Sequence, residues 1–213
     1  MGQPLRLALF FIFEDNMTKP AAMNELEAVN VLLTTIGEQP VNTLTGNQTT
    51  DVTIAQQVLK EVSREVQSSG WHFNTEHDVE LVPDSVDSHI TVPADVARID
   101  SKYKNVVTRS GKLFDLVERT YVFADKLKCD IVYYQDFEVL PDVAKKYIAT
   151  RASRIYADRS LNSESIHRML MRDEQQALVE LRHYEAETAD HSMFDSYSVA
   201  RVLNRGHKRR VLL

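Results

Sequence analysis

In residues 24–44, NELEAVNVLLTTIGEQPVNTL, apolar side chains recur at Leu26, Val29, Leu33 and Ile36, the three-and-four spacing of one helix face. Asn24 is placed to cap this helix, and Glu27, three residues on, to complete a capping box. Gly37 ends it and Pro40 blocks its resumption. After the polar run TLTGNQTTD, a second helix is expected from a cap at Asp51 to about Ser69. Its buried row is Ile54, Val58, Val62 and Val66, widened by Ala55 and Leu59, and Gly70 is its stop. Trp71 and Phe73 follow at once, a position where aromatic rings plug a core more often than they stack on a ligand.

From about Val79 to Tyr134 the period changes to two. The runs VELVPD, HITVPADVARIDSK, NVVTRSGKLFDLV and CDIVYYQDF are rich in branched and aromatic residues and separated by Pro, Gly, Ser and Asp. TRSGKLFDL predicts a hairpin turning at Ser110-Gly111. Pro83 and Pro93 belong at strand ends or edges, because proline has no amide hydrogen for a ladder.

At Pro141 the helical period returns. Proline suits a first turn and Asp142 complements the helix dipole. Val143, Ala144, Tyr147, Ile148, Arg151, Ala152, Ile155 and Tyr156 then form one broad stripe to about Arg159. Asn162 or Ser163 caps a fourth helix reaching about Thr188, with Ile166, Met169, Leu170, Ala177, Leu178 and Leu181 facing inward. The pattern as a whole predicts an α+β fold: a bundle of four main helices with an inserted small antiparallel β subdomain and an extended C-terminal arm. The expected divisions are an N-terminal extension (1–22), the bundle (23–78 and 139–190), the β insertion (79–138) and a basic arm (191–213).

Charge sharpens that division. The net charge is −6, yet residues 191–213 hold Arg201, Arg205, Lys208, Arg209 and Arg210 against Asp195, or +4, which leaves −10 for the first 190. An acidic body disfavours a broad nucleic-acid-binding face, while the basic arm suits an acidic partner or phosphate. A single cysteine, Cys129, excludes an intrachain disulfide framework and a cysteine-based zinc site and fits a reducing compartment. The apolar segment Leu5–Phe13 is nine residues long, against the ~20 that span a bilayer. It reads either as an element docking on a partner or as an extension upstream of the core, and no membrane anchoring is expected.

Catalytic patterns are sparse. The six glycines are too scattered for a phosphate-cradling loop, and no Gly-x-Ser-x-Gly elbow occurs. His72 and His77 are five apart, not the four of a helical metal pair. The acidic clusters Glu76, Asp78, Glu80 and Asp136, Glu138, Asp142 contain the residue types of a glycosidase pair. Charged loop edges account for them as well. No cofactor or metal is expected.

The order of these elements resembles the tail tubular protein A family of short-tailed bacteriophages. The resemblance rests on AVNVLLTTIGEQPVNTL (28–44), VQSSGWHFNTE (66–76), LVPD (81–84) and LPDVAKKYIATRASRIYADR (140–159), and covers about residues 23–190. The first 20 residues and the basic tail depart from the family pattern. It implies a structural virion protein: a dodecameric head-to-tail adaptor ring between the portal and the tail nozzle (tail tubular protein B), near the tail fibres, with the genome passing through its lumen. It also implies residence in the virion tail after assembly in the host bacterial cytoplasm. An acidic lumen offers few cations to grip phosphate, which suits DNA that must slide. A closed ring needs a heterologous interface, for which Val31 and Leu32, opposite Leu33 and Ile36, are candidates. Arg201, Arg205, Lys208, Arg209 and Arg210 are the candidates for gripping the portal. The alternatives are a tail-associated glycan hydrolase, carried by the acidic clusters, and a DNA-binding regulator.

Overall fold

The computed structural model describes residues 22–46 and 48–188. Its elements are helices α1 (Glu25–Thr35) and α2 (Thr50–Ser68), strands β1 (Thr75–Leu81), β2 (Val96–Asp100), β3 (Val106–Arg109), β4 (Lys112–Asp115) and β5 (Leu127–Tyr133), and helices α3 (Asp142–Leu161) and α4 (Glu164–Thr188). The fold is α+β, as the change of period predicts. The basic arm lies outside the described residues, as does the Leu5–Phe13 segment.

The helix ends follow local chemistry. The Asn24 side chain accepts from the Glu27 amide at 2.8 Å, and the Glu27 carboxylate accepts from the Asn24 amide at 3.0 Å, a complete capping box. At the other end the amides of Gly37 and Glu38 donate back to the carbonyls of Thr34 and Leu33, with Gly37 at φ 86°. This paired closure needs a left-handed residue, which glycine adopts without penalty. Gly70, at φ 77°, has a second reason to be glycine: a Cβ there would lie 2.8 Å from an Arg98 guanidinium nitrogen and 3.1 Å from a Val132 methyl. A side chain at this turn from α2 into the sheet would have to displace the end of Arg98 and press on Val132, besides the cost of the left-handed backbone.

Two helix starts differ from expectation. Thr49, not Asp51, caps α2, its hydroxyl accepting from the Val52 amide, and Asp51 sits in the first turn where its charge still favours the dipole. Pro141 is the cap of α3 rather than its first residue, and Asn162, at φ 48°, closes α3 so that α4 starts at Glu164.

The buried faces are displaced from the expected rows. In α1 the core positions are Ala28, Val29, Leu32 and Leu33, with Leu26 and Ile36 half-buried at its edges. Leu32 is fully buried, so only Val31 of the pair proposed for an interface faces outward. In α2 the expected row began at Ile54, which is 41% exposed, while Val52 and Ala55 are buried. A row of residues four apart drifts about 40° per step around a helix of 3.6 residues per turn, so its first member leaves the buried arc. In α4 Met169 is 58% exposed and Glu174 is buried in its place.

α3 is the central helix, packing on α1, α2 and α4. Ala144, Ala149, Ala152 and Ala157 are all buried along it, small enough to let three neighbours approach. Trp71 and Phe73 pack against this helical core with their rings parallel, and the Trp71 indole donates to the Val66 carbonyl at 2.8 Å. They plug the core.

The strands form a three-stranded antiparallel sheet in the order β1-β5-β2 and a separate β3-β4 hairpin. The hairpin turns at Ser110 and Gly111, both at positive φ, as a tight turn matched to strand twist requires. β1 starts at Thr75, ahead of the period-two pattern, because a register shift between Glu76 and Val79 interrupts its alternation. The HITVP run contributes only isolated bridges at His89 and Thr91, and Pro83 and Pro93 stand outside every strand. Leu127, Cys129 and Ile131 of central β5 enter a second apolar cluster with Ile90, Leu113 and Phe123.

Candidate assembly surfaces

The residues that carried chemical hypotheses are engaged in holding the fold. Glu138 and Asp142 accept from the backbone amides of Glu25 and Met23, at 2.8 and 3.0 Å, and so tie the start of α1 to the start of α3. Asp136 stands at the start of the short turn Phe137–Val139, where its backbone carbonyl accepts from the Val139 amide at 3.1 Å and its carboxylate makes no capping bond. On the sheet, Glu80 takes Lys126 at 2.8 Å, and that hydrogen bond holds its carboxyl below the ordinary range, the reverse of what a general acid needs. Asp78, at φ 53°, pairs with Lys102 at 3.4 Å. The two clusters therefore do not assemble into an acid–base pair.

Four of the five histidines among the described residues are similarly occupied. His77 meets Asp130 at 3.3 Å, His89 meets Asp87 at 2.7 Å, His167 meets Asp158 at 2.9 Å and His183 meets Glu187 at 3.3 Å. Among the described residues no three His, Cys, Asp or Glu side chains gather in a way that would hold a metal ion. Burial pushes the Cys129 thiol up to about 11, so it is a core residue with little thiolate. No helix among the described residues is long and apolar enough to cross a membrane.

What the geometry does bring together is a charged lock across the bundle. Glu174 of α4, buried, receives Arg151 at 2.9 Å and Arg154 beside it. Arg151 also reaches Glu65 of α2 at 2.6 Å, and Arg154 reaches Asp158 at 3.2 Å. The hydrogen bond that Arg154 donates to Glu174 holds its guanidinium above its ordinary value. Arg159 and Lys146 add surface pairs to Glu61 and Glu180. Sequence periodicity placed Arg151 on the apolar stripe without signalling its partners, because Glu65 and Glu174 are distant in the chain.

A different lock joins helices to sheet. The Asn74 amide donates to the carbonyls of Gln67 and Tyr133, at 2.9 and 2.8 Å, while its oxygen accepts from the Trp71 amide at 2.8 Å. Gln67 donates to the Gln135 carbonyl at 3.0 Å and accepts from the Gln135 amide at 2.7 Å. Both side chains are nearly inaccessible to water. Neither stood out in the sequence, where a polar residue on a helix reads as surface.

Among the described residues, two surfaces bear on assembly. One is an open cleft of about 480 Å³ between the Gly37–Val41 turn and the start of α2, containing Glu38 and Asp51. The other is the outward face of α4. The portal-interface candidates Arg201, Arg205, Lys208, Arg209 and Arg210 lie outside the described residues.

The comparisons bear on the whole arrangement. The family model described as "Tail tubular protein" matches residues 26–191, from the first turn of α1 past the end of α4. "Tail tubular protein A" of Klebsiella phage KP34 is 34% identical over 133 residues, covering 60% of this chain and 68% of that protein. The match takes in both the helices and the inserted strands and stops where the basic arm begins. The chain therefore belongs to the tail tubular protein family.

Proposed function

We infer that this subunit works by forming a dodecameric ring that holds the portal on one side and the tail nozzle on the other, with tail fibres attached nearby. Membership of the family makes the protein a structural component of a phage tail, a head-to-tail adaptor rather than a catalyst. The finer reading adds the twelvefold ring, the nozzle partner, the passage of DNA through the lumen for retention and ejection, and assembly in the host cytoplasm before docking. It also divides the chain into an extension (1–22), a bundle (23–78 and 139–190), a β insertion (79–138) and an arm (191–213).

The observation that carries it is the charge of the matched body. The described residues hold 18 Lys and Arg against 27 Asp and Glu, a net of −9. DNA threaded through a ring of such subunits meets more repulsion than attraction and slides without being captured. Attachment then falls to the oppositely charged arm. Arg201, Arg205, Lys208, Arg209 and Arg210 are assigned to the portal, where a short basic segment seats against acidic surface.

Truncation after Asp190 tests the assignment. Circular dichroism and melting of the truncated protein should match the full chain, and co-sedimentation with purified portal should be lost. Undiminished portal binding would remove the arm from the interface. Negative-stain images of the full chain, alone and mixed with portal, test the ring itself.

A further inference from the structure

α4 is 25 residues long, about 37 Å at 1.5 Å per residue, and it packs chiefly on α3. Only Leu170, Glu174, Ala177 and Leu181 are buried along it. Opposite that row, Arg168, Arg172, Gln175, Val179 and Arg182 fall within roughly 80° of arc, and all five are exposed. No carboxylate among the described residues pairs with Arg168, Arg172 or Arg182. Lys60, Arg64, Arg98, Arg109 and Arg119 also have no carboxylate partner among the described residues, while Lys102, Lys104, Lys112, Lys126, Lys146, Arg151, Arg154 and Arg159 do; on α4 three such arginines share one helix face. Val179, 65% exposed, sits in the middle of the stripe and Met171, 44% exposed, beside it. Apolar side chains set among arginines suit a protein surface better than a phosphate backbone, since interface cores favour Met and Arg together.

The complementary surface is on the same molecule. α1 packs on α3 and α2 and is not a main neighbour of α4. The Glu38 and Asp51 carboxylates, with no side-chain partner among the described residues, line the open cleft together with Pro40 and Val41. A basic stripe on α4 and an acidic, partly apolar cleft formed by other elements are the two unlike halves of a heterologous contact. Repetition of such a contact generates a ring when the rotation closes.

We propose that the outward face of α4, through Arg168, Arg172, Val179 and Arg182, docks on the Glu38–Asp51 cleft of a second copy of this chain. The proposal rests on the ring reading above and names the surfaces that build it. Charge steers the copies into a head-to-tail order, because two α4 faces or two clefts repel each other.

The test uses the full chain mixed with portal, scored by negative stain and sedimentation velocity. Arg168→Glu, Arg172→Glu and Arg182→Glu combined should lower the ring population at least tenfold while far-UV circular dichroism stays unchanged, these side chains being exposed. Glu38→Lys with Asp51→Lys should do the same. Joining the two sets in one chain should restore rings, an outcome that misfolding cannot produce. Rings undiminished in either reversed variant, or no recovery in the combined one, would overturn the docking surfaces and leave the ring reading standing. Absence of rings from the unaltered chain would overturn both readings.

Discussion

The helical part and the β part are held by different means. The helices share an apolar cluster of nineteen buried residues, the strands a cluster of nine. Across the helices the charged lock is interior: Glu174, Arg151 and Arg154 are each at least three-quarters shielded, so their pairing is screened little by salt. On the sheet the pairs Lys126–Glu80 and Lys102–Asp78 are open to water and contribute little. Large apolar side chains also stand in solvent around the strands, among them Val86 at 91%, Val117 at 74% and Val82 and Tyr103 at 71%. The bundle thus carries most of the stability, and the β region is expected to open at lower free energy than the helices.

The sharpest way to break that contrast is a cavity in each core. Leu32 and Leu113 are both fully buried, and Leu→Ala at such sites costs about 2–5 kcal/mol. Leu32→Ala should lower the main unfolding transition seen by helix circular dichroism. Leu113→Ala should accelerate amide exchange in β3 and β4 while leaving the helix transition near its original midpoint. Equal shifts of the helix transition by both variants would show one cooperative unit in place of two.

The junction comes next. Asn74→Ala would remove the acceptor of the Trp71 amide and a donor to the Tyr133 carbonyl, while the Gln67 carbonyl keeps the Gly70 amide at 3.1 Å. Losing buried hydrogen bonds in this way costs about 1–3 kcal/mol. Denaturation followed by Trp71 fluorescence and by amide signals of β5 should then separate into two transitions. Coincident transitions in the variant would mean that Asn74 does not couple the regions.

How far the sequence carried the fold depends on whether the cause is local. The capping box at Asn24 and Glu27, the closures at Gly37 and Gly70 and the Ser110-Gly111 turn were legible because each is decided within about four residues. The buried arcs of α2 and α4 were not fully legible. Which side of a helix is covered depends on neighbours: α4 has one main neighbour, so Met169 stays in water where an amphipathic pattern alone would bury it. Glu174, Asn74 and Gln67 were invisible for a related reason. A buried polar residue is stable only with its partners, and those partners come from other elements. The family was legible from motifs spread over both helix pairs, whereas the α4 stripe depends on which face of that helix its neighbours leave exposed.

The smallest expected effect concerns pH and sharpens the contrast from the β side. Asp115, at the end of β4, accepts from the amides of Val117 and Glu118, at 2.8 and 3.0 Å, and from Lys104 at 3.0 Å. These bonds, the Glu118 amide foremost, hold its carboxyl below the ordinary aspartate value of 3.8. A carboxyl depressed by folding stabilises the folded state fully above its unfolded value, and the stabilisation fades as pH falls through the folded one. The β region should therefore weaken as pH drops below about 4, with the loop after β4 loosening first. Asp115→Asn keeps the shape but removes the charge, so the variant should be less stable than the unaltered chain at pH 7 and should approach it at low pH. The check is the midpoint of β-region amide signals under denaturant, compared between the two proteins from pH 7 to pH 3. A difference that stays constant across that range would mean that the Asp115 charge contributes nothing to the hairpin end, and that its hydrogen bonds act through geometry alone.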